Sequence, residues 1–438
     1  MTSVHDNEAL MRVGRGTLMG NMMRQYWIPA CLSSELEAGA PPMRLMLLGE
    51  KLIAFRDSTG RVGIMDHRCP HRCASLFFGR AEEGGIRCAY HGWKFDVEGR
   101  CLDMPNLPPE DQFTSKVNTL AYKVAERGGL VWTYMGERAG APPLPDVEAL
   151  ALRESERLVR VHQRECNWLQ ALEGDIDTSH FSFLHLGGTK PDEVDENNMH
   201  RYALVHPAPK YHVRETDWGA MYAAYRPAQP GNLYYRFSQF IFPFITLPPD
   251  GTFTDHVQVN VWVPMDDTHT MVFGFFWTER TQPMQTLKDG TPIPGTVPPN
   301  EFLPRTDDWY GRWRPVARRE NDYLMDRDVQ STTTYTGIQG FAAQDQAITE
   351  SMEAMVDRTF EHLAPSDRMI TTTRRRLLNA ANALRDHGTV PPGVDRPDVS
   401  RGARAGAFVA PASQDWHDAY VEQLKQSVSP VWPSLAAE

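Results

Sequence analysis

Two short stretches, Cys69-Pro70-His71 and Cys88-Ala89-Tyr90-His91, decide how this 438-residue chain is interpreted. Each stretch offers one thiol and one imidazole, and sixteen residues separate His71 from Cys88. A zinc site built on CxxC pairs would place its thiols together, whereas here each cysteine is partnered by a histidine. The pattern therefore indicates two loops that each contribute one sulfur and one nitrogen ligand to a shared metal centre.

The ligand set is that of a Rieske [2Fe–2S] cluster, in which two cysteines hold one iron and two histidines hold the other. The predicted ligands are Cys69, His71, Cys88 and His91. Neutral imidazoles raise the reduction potential above that of an all-cysteine cluster, so we expect a chain that moves electrons one at a time. Gly92 would let the backbone approach the cluster closely. A Cys2His2 zinc site remains the alternative.

The sequence around the cluster loops favours an all-β domain. Leu52 to Phe55 and Val62 to Met65 flank Asp57-Ser58-Thr59-Gly60, which is a hairpin signature leading into the first loop. A Pro-rich stretch after residue 140 is a natural boundary. We therefore predict a helical lead-in over residues 1–26, a Rieske domain over 27–140 and a catalytic domain over 141–438.

The composition excludes several classes of protein. The net charge of −11 and the absence of a basic stripe argue against a nucleic-acid partner. No apolar stretch is long enough to span a bilayer, and Met1 to Leu10 lacks a signal-peptide core. We expect a cytoplasmic protein with no membrane partner.

A second metal site is suggested by His180 and His185, five residues apart. Two histidines and a distant carboxylate are the ligand set of a mononuclear non-haem Fe(II) site with open positions for oxygen. On an ideal helix the two side chains would diverge by roughly 140°, so a helix must bend or end between them. Most such pairs are ordinary core or surface histidines, but a Rieske cluster in the same chain needs an electron acceptor.

The residues before His180 predict a helix from Asn167 to His185. On it Asp177 would share a face with His180 and accept the free N–H of the ligand histidine, with Glu173 extending the same polar face. The third ligand must come from later in the chain, and spacing does not choose among the carboxylates. The candidates are Asp322, Asp326, Asp328, Asp345 and Glu350.

The rest of the chain predicts strands followed by helices, and hence an α+β protein. The predicted strands are Met221 to Tyr225, Leu233 to Ile245, His256 to Pro264 and Met271 to Trp277. The predicted helices are Gln344 to Leu363 and Ser366 to Arg385, and a Pro-rich surface loop is predicted from Thr281 to about Asn300.

These motifs resemble those of the Rieske non-haem iron aromatic-ring oxygenases, in their catalytic alpha subunit. The cluster motif extends to Arg72 and Trp93, and Asn167-Trp168-Leu169-Gln170-Ala171-Leu172-Glu173-Gly174-Asp175-Ile176-Asp177 looks like the iron-site helix of that family. Other segments resemble the phthalate 4,5-dioxygenase branch: Arg12-Val13-Gly14, Trp27-Ile28-Pro29, Gln344-Asp345, Asp357-Arg358-Thr359 and Glu361-His362-Leu363.

The resemblance implies an all-β Rieske domain joined to a helix-grip catalytic domain with a curved antiparallel sheet and helices. It selects Asp345 as the third iron ligand beside His180 and His185. It also implies a homotrimer or a stacked hexamer, in which Asp177 bridges His91 of one subunit to His180 of its neighbour. A monomer should then be inactive with both metals loaded.

The activity implied is that of a terminal oxygenase. A flavin/iron–sulfur reductase would supply electrons from NAD(P)H, and O2 would be used to hydroxylate an aromatic, carboxylate-bearing, phthalate-like substrate. O-demethylation of a methoxylated aromatic acid is the alternative, and a pure electron carrier with about two irons per chain is another. An anionic substrate needs a cation in its pocket. Arg236 is the first candidate, with Lys210 and Arg226 beside it; a surface charge pair is the competing interpretation.

Overall fold

The computed structural model describes residues 2–279, 286–433 and 435. Its N-terminal third holds two antiparallel sheets, one with the strand order β1-β10-β9-β4-β3-β2 and one with the order β5-β6-β7-β8. The strands are β1 (Trp27–Leu32), β2 (Met43–Leu47), β3 (Glu50–Arg56), β4 (Val62–Asp66), β5 (Arg80–Glu82), β6 (Gly85–Arg87), β7 (Lys94–Phe95), β8 (Cys101–Asp103), β9 (Ala121–Arg127) and β10 (Leu130–Tyr134). The predicted hairpin joins β3 to β4.

A larger antiparallel sheet follows, with the order β11-β17-β16-β15-β14-β13-β12 and with β18 also paired to β14. Its strands are β11 (Arg157–Arg164), β12 (Lys210–Glu215), β13 (Gly219–Pro227), β14 (Asn232–Ile241), β15 (Ile245–Leu247), β16 (Gln258–Pro264), β17 (Thr270–Trp277) and β18 (Gly406–Pro411). The sheets and helices together confirm the predicted α+β class.

Helices cover and connect the sheets. They are α1 (Val4–Met11), α2 (Leu18–Met23), α3 (Trp168–Asp175), α4 (Arg201–Val205), α5 (Arg327–Thr332), α6 (Phe341–Ser351), α7 (Arg368–His387) and α8 (Trp416–Gln426). Helix α3 packs on β16 and α6, whereas α7 packs on β12, β13 and the N-terminal helices. No helix of the described residues combines the length and the apolarity that a bilayer crossing needs.

One hydrophobic core runs through both halves of the chain. Met22 of α2, Trp132 of β10, Trp168 of α3 and Leu377 of α7 all belong to it, and each is at most 1 % exposed. Burying such large apolar side chains contributes about 2–3 kcal/mol each. Helices α1 and α2 are therefore anchored to α7 rather than extended from the body.

Two of the predicted helices are wrong in extent. The helix predicted from Asn167 to His185 ends at Asp175, with Asn167 as its N-cap. The helix predicted from Gln344 to Leu363 stops at Ser351, and Glu353 follows with a φ of 71°, which a right-handed helix does not allow. The loop predicted from Thr281 to Asn300 lies partly outside the described residues.

Candidate functional site

The two cluster loops are closed by backbone hydrogen bonds. The Cys69 N–H donates to the carbonyl of Ala74 at 2.8 Å, and the Cys88 N–H donates to that of Trp93 at 2.8 Å. Both cysteines are almost fully buried, and their thiols contact each other without forming a disulfide. The loops therefore present two sulfur atoms side by side, as one shared iron requires.

The imidazoles of the same loops lie next to each other at the protein surface. The ring centroids of His71 and His91 are 4.4 Å apart, and His71 stacks on Trp93 at 4.4 Å with an interplanar angle of 7°. Trp93 is held in turn by a 2.8 Å bond from its Nε1 to Asn106. The Nδ1 atom of His91 is buried with no partner among the described residues, as expected for a nitrogen that ligates a metal.

The donor chemistry of these loops fits a thiolate-bound cluster. The Cys69 thiol and the backbone amides of Tyr90 and His91 donate to the Cys88 sulfur and lower the pKa of Cys88. Gly92 adopts a φ of 78°, and a Cβ there would lie 2.6 Å from Cγ of Pro105. A close approach of this backbone to the cluster stays a prediction.

The second candidate metal centre joins His180 and His185 to Asp345. The two Nε2 atoms are 3.2 Å apart, and Oδ1 of Asp345 lies 3.6 Å from the first and 3.2 Å from the second. Among the described residues this is the group of ligand-type side chains whose donor atoms cluster within 4.8 Å. The geometry is that of two histidines and one carboxylate around a single ion.

A π-helical turn at Phe181–His185 explains how two histidines five residues apart converge. Helix α3 has already ended at Asp175, and the Leu186 N–H bonds back to the Phe181 carbonyl at 3.2 Å, five residues earlier. A π turn holds more residues than an α turn. A step of five residues along it therefore ends closer to one full revolution than the same step along an α-helix. The roughly 140° divergence expected on an ideal α-helix therefore does not arise.

Gln344 fixes the tautomer of His185. Its Nε2 donates to the carbonyls of Gly295 at 3.0 Å and Ile338 at 2.9 Å, so its Oε1 must face the imidazole. The Nδ1 of His185 lies 2.7 Å from that oxygen and therefore carries the proton. The Nε2 lone pair is then directed at the Asp345 carboxylate, an arrangement of two acceptors that a cation between them would stabilise.

Asp177 lies beside His180 but not on a helix. Its Oδ2 is 3.6 Å from Nδ1 of His180, while its Oδ1 accepts from the N–H and the hydroxyl of Ser179 at 2.8 and 2.5 Å. The turn after α3 brings the carboxylate to the ring, so the predicted contact occurs although its helical basis is wrong. The side chain of Asp177 is 22 % exposed, which leaves one side of it open to another surface.

Glu173 does not extend this polar face. It is buried and pairs with Arg374 at 2.6 Å and Arg358 at 3.1 Å. Of the third-ligand candidates, only Asp345 is brought to the two histidines within the described part of the chain. Glu350, for comparison, accepts hydrogen bonds from Tyr323 and Gln346 instead.

Comparison with known proteins decides the family. Residues 26–121 match the model of the Rieske [2Fe-2S] domain, and residues 133–432 match the model described as LigXa C-terminal domain like. The chain is 51% identical over 429 residues to the 3-chlorobenzoate-3,4-dioxygenase oxygenase subunit of Comamonas testosteroni, covering 97% of this chain and 99% of that one. This chain belongs to the Rieske non-haem iron oxygenases.

Further relatives agree with this assignment. The oxygenase is 37% identical over 398 residues to the phthalate 4,5-dioxygenase oxygenase subunit of Pseudomonas putida, covering 88% of this chain and 87% of that one. Among solved structures, dicamba monooxygenase bound to dicamba matches with a TM-score of 0.55 at 17% identity, over 83% of this chain and 98% of that one. The caffeine-bound NdmA QL mutant of Pseudomonas putida CBB5 matches with a TM-score of 0.57 at 21% identity, over 86% and 96%. These structures support the fold.

Family membership fixes the chemistry at a coarse level. Rieske oxygenases carry a Rieske [2Fe–2S] cluster and a mononuclear non-haem iron. The alpha subunits take electrons from a reductase and use O2 to hydroxylate aromatic substrates. The zinc-site and pure-carrier alternatives are therefore set aside.

A cavity of about 670 Å³ opens beside the three candidate iron ligands. Arg236 of β14 lies on its wall and is only 2 % exposed. The guanidinium stacks on Phe181, with its carbon 4.0 Å from the ring centroid. Its Nη2 is 3.7 Å from Asp250, its Nη1 is 3.3 Å from His200, and its buried Nε has no partner among the described residues.

The other two predicted substrate residues lie elsewhere. Arg226 of β13 is fully buried, is not on the cavity wall and donates from Nε to the His206 carbonyl at 2.8 Å. Lys210 is exposed at the start of β12 and is not on the cavity wall. Of the three cations, the structure brings only Arg236 to the cavity.

Proposed function

We propose that this oxygenase hydroxylates the ring of an aromatic carboxylate of the chlorobenzoate or phthalate type. The observation that carries the proposal is Arg236, a buried cation on the cavity wall beside His180, His185 and Asp345. A ring held against Phe181 with its carboxylate on Arg236 would lie next to the iron ligands.

The charge around Arg236 supports an anionic ligand. A buried guanidinium is costly unless it is paired and hydrogen-bonded. Here its nearest carboxylate, Asp250, is at the long distance of 3.7 Å, and Nε is unpartnered. A substrate carboxylate would accept from the guanidinium in the strong bidentate geometry that arginine favours. Two relatives, a 3-chlorobenzoate and a phthalate dioxygenase subunit, are named as enzymes for aromatic acids.

The site roles form part of the proposal. Cys69, His71, Cys88 and His91 would hold the cluster. His180, His185 and Asp345 would hold the iron, which when bound supplies oxygen activation.

The chain's own residues set the geometry of that centre. Gln344 keeps the proton on Nδ1 of His185, and Asp177, whose Oδ2 lies 3.6 Å from Nδ1 of His180, would keep the proton of His180 on that nitrogen. Both contacts leave the Nε2 lone pairs free for a metal.

The proposal extends to domains and assembly. Residues 1–26, 27–140 and 141–438 would be the lead-in, the Rieske domain and the catalytic domain. In a homotrimer or a stacked hexamer, His91 of one subunit would meet the exposed side of Asp177 in the next. Electrons from a NAD(P)H-dependent flavin/iron–sulfur reductase would then cross between subunits.

O-demethylation is the second candidate. The oxygenase is 34% identical over 384 residues to the 5,5'-dehydrodivanillate O-demethylase oxygenase subunit of Sphingobium sp. (strain NBRC 103272 / SYK-6), covering 86% of this chain and 80% of that one. The same iron ligands serve both reactions, and the cavity is large enough for a methoxylated ring. Only the product separates the two activities.

Product analysis tests the proposal. The oxygenase, a competent reductase and NADH are incubated under ¹⁸O2 with 3-chlorobenzoate, phthalate or 3-methoxybenzoate. We expect a dihydrodiol with both oxygens labelled from at least one of the acids, whereas formaldehyde release would favour demethylation.

Arg236 variants provide the matched control. R236Q should lower kcat/KM for the acid by roughly 30-fold or more, since a buried charge partner is lost, and R236K should lose less. Turnover of the neutral amide of the same acid should change little. Failure to oxidise any of the acids, or an equal loss for acid and amide, would contradict the proposal.

A further inference from the structure

Three side chains of β11 form a row along the cavity wall. Arg160, His162 and Arg164 are two residues apart on the strand and therefore face the same side of the sheet. All three line the cavity. We call them the β11 row. β11 is the edge strand of the sheet and pairs with β17 on the described path, so the row lies at one edge of the sheet on the cavity wall.

The β11 row runs from solvent to the interior. Arg160 is exposed, and so are Val297 and Phe302, two other residues of the cavity lining, at 47 % and 40 %. Arg164 is 2 % exposed and lies inside, with its guanidinium 4.9 Å from the Trp262 ring centroid. A molecule that enters at Arg160 therefore meets a second cation further in.

The two arginines have few partners of their own. Arg164 donates from Nη1 to the Thr349 hydroxyl at 3.1 Å, and its buried Nε has no partner among the described residues. Arg160 stacks on Phe276 at 5.0 Å and has no ion pair within the described part of the chain. Among the described residues no carboxylate lies at bonding distance of either guanidinium, so each retains the capacity to bind an anion.

His162 separates the two charges without adding a third. Burial, reinforced by the nearby charge of Arg164, lowers the pKa of His162 to about 3, so the imidazole is neutral at physiological pH. Its Nε2 is buried and unpartnered among the described residues. The middle of the row is therefore a neutral polar group, at which an anion would pass without being trapped.

We propose that the β11 row is the substrate's route into the cavity, with Arg160 capturing the anionic group at the mouth and Arg164 retaining it inside. The proposal rests on the aromatic-carboxylate function proposed above and adds specificity-determining residues to it. Arg236 remains the residue that binds the substrate carboxylate beside the iron ligands. The substrate class is an aromatic ring with one negatively charged group.

The two arginines should act on different rate constants. A charge at the rim of a site alters the association rate and its salt dependence, whereas a buried charge alters dissociation. Arg160 should therefore raise the association rate constant, and Arg164 should lower the dissociation rate constant. Both effects should vanish for a neutral analogue, because a neutral ligand gains nothing from either charge.

Binding kinetics test this directly on the metal-loaded oxygenase. Trp262 and Trp277 line the cavity, so stopped-flow tryptophan fluorescence can follow binding of 3-chlorobenzoate, phthalate and 3-chlorobenzamide. R160Q should lower the association rate constant of the bound acid by about 5–10-fold at 20 mM salt, and R160E by more. The loss in association rate constant should become smaller as the salt concentration approaches 0.5 M, since charges are then screened. R164Q should instead raise the dissociation rate constant about tenfold, with R164K intermediate.

The control variant is R214Q. Arg214 is an exposed arginine on β12 of the same sheet and is not on the cavity wall, so R214Q changes the net charge equally without touching the route. Melting temperature and iron content verify that R164Q is folded and loaded.

Each outcome decides a separate point. If R160Q, R164Q and the wild type bind the acid with equal rate constants, the β11 row is not the substrate's route, and the proposed function is unaffected. The same loss for acid and amide overturns this route as well. If the wild type binds the amide but neither acid, the proposed function fails, and this inference fails with it.

Discussion

Gln344 holds His185 in one tautomer, through a 2.7 Å bond from the imidazole Nδ1 to the amide Oε1. Rotating the amide by 180° would break hydrogen bonds, because its Nε2 donates to two buried carbonyls. Gln344, the neighbour of Asp345 in sequence, thus keeps Nε2 of His185 unprotonated and available as a metal ligand. The same short helix, α6, supplies both the carboxylate and the group that orients its partner ligand.

Loss of Gln344 should weaken iron binding without disturbing the cluster. We expect Gln344→Leu to lower the affinity for Fe(II) about 10–100-fold, as found for groups that orient a metal ligand. Titration of the iron-depleted protein with Fe(II) measures this. Gln339→Leu is the control, since Gln339 is exposed and its side chain donates to the Val297 carbonyl, away from the iron ligands. Equal iron affinity of the two variants would show that Gln344 does not support iron binding.

Asp177→Asn should retain both metals and slow electron delivery. The amide keeps the shape of the side chain but not the charge that lies 3.6 Å from Nδ1 of His180. We expect reoxidation of the reduced cluster, followed by its visible absorbance in the presence of O2 and substrate, to slow about tenfold or more.

Ser179→Ala tests whether that effect is specific. It removes only the hydroxyl that donates to the other oxygen of Asp177, and reoxidation should stay within about threefold of wild type. Unchanged reoxidation in Asp177→Asn would exclude the carboxylate from the route between the two centres.

Electron transfer between subunits predicts complementation of two inactive variants. Cys88→Ala removes a cluster ligand and Asp345→Ala removes an iron ligand. In a mixed trimer that contains both variants, one of the three interfaces pairs an intact cluster with an intact iron site. We therefore expect about a third of wild-type turnover from trimers formed by co-expression and purified through tags on both chains. Transfer within one chain predicts none.

Glu173 should stabilise the fold rather than serve catalysis. Burial opposes its ionisation, but the charges of Arg358 and Arg374 outweigh burial and lower the pKa of Glu173. Glu173→Gln leaves two buried guanidinium groups short of their partner and should reduce the free energy of unfolding by about 3–5 kcal/mol. Denaturant unfolding measures this loss.

The pH dependence of that loss has a definite sign. A lowered pKa in the folded state stabilises the protein above the unfolded pKa of about 4.3, and this contribution disappears as the pH falls below it. The difference in free energy of unfolding between the wild type and Glu173→Gln should therefore become smaller at acidic pH. Glu215→Gln, at an exposed pair with Arg375 and Arg376, should cost less than about 1 kcal/mol. A similar cost for both variants would contradict the account of Glu173.

Sequence reasoning went furthest where the ligands are close in the chain. Cys69, His71, Cys88 and His91 lie within two loops, so their spacing alone indicates the cluster. Asp345 comes from α6, and only tertiary packing brings it to His185; spacing left five candidates, and resemblance chose among them.

The errors and omissions have a common physical cause. Nothing in the sequence reveals a π turn before His185 or the early end of α3, because both depend on local backbone geometry. Gln344 and the β11 row were missed, since their significance lies in which face of an element meets the cavity. Strand alternation at Arg160 and Arg164 is the signal that could have found the row.

We expect one chain to carry a Rieske cluster and a separate iron at His180, His185 and Asp345. Iron and acid-labile sulfide are measured per chain on anaerobically purified wild type and on Asp345→Ala. We predict about three irons and two sulfides in the wild type, and about two irons and two sulfides in the variant, with unchanged visible spectra. Three irons in Asp345→Ala, or two in the wild type with no further uptake of Fe(II), would contradict this expectation.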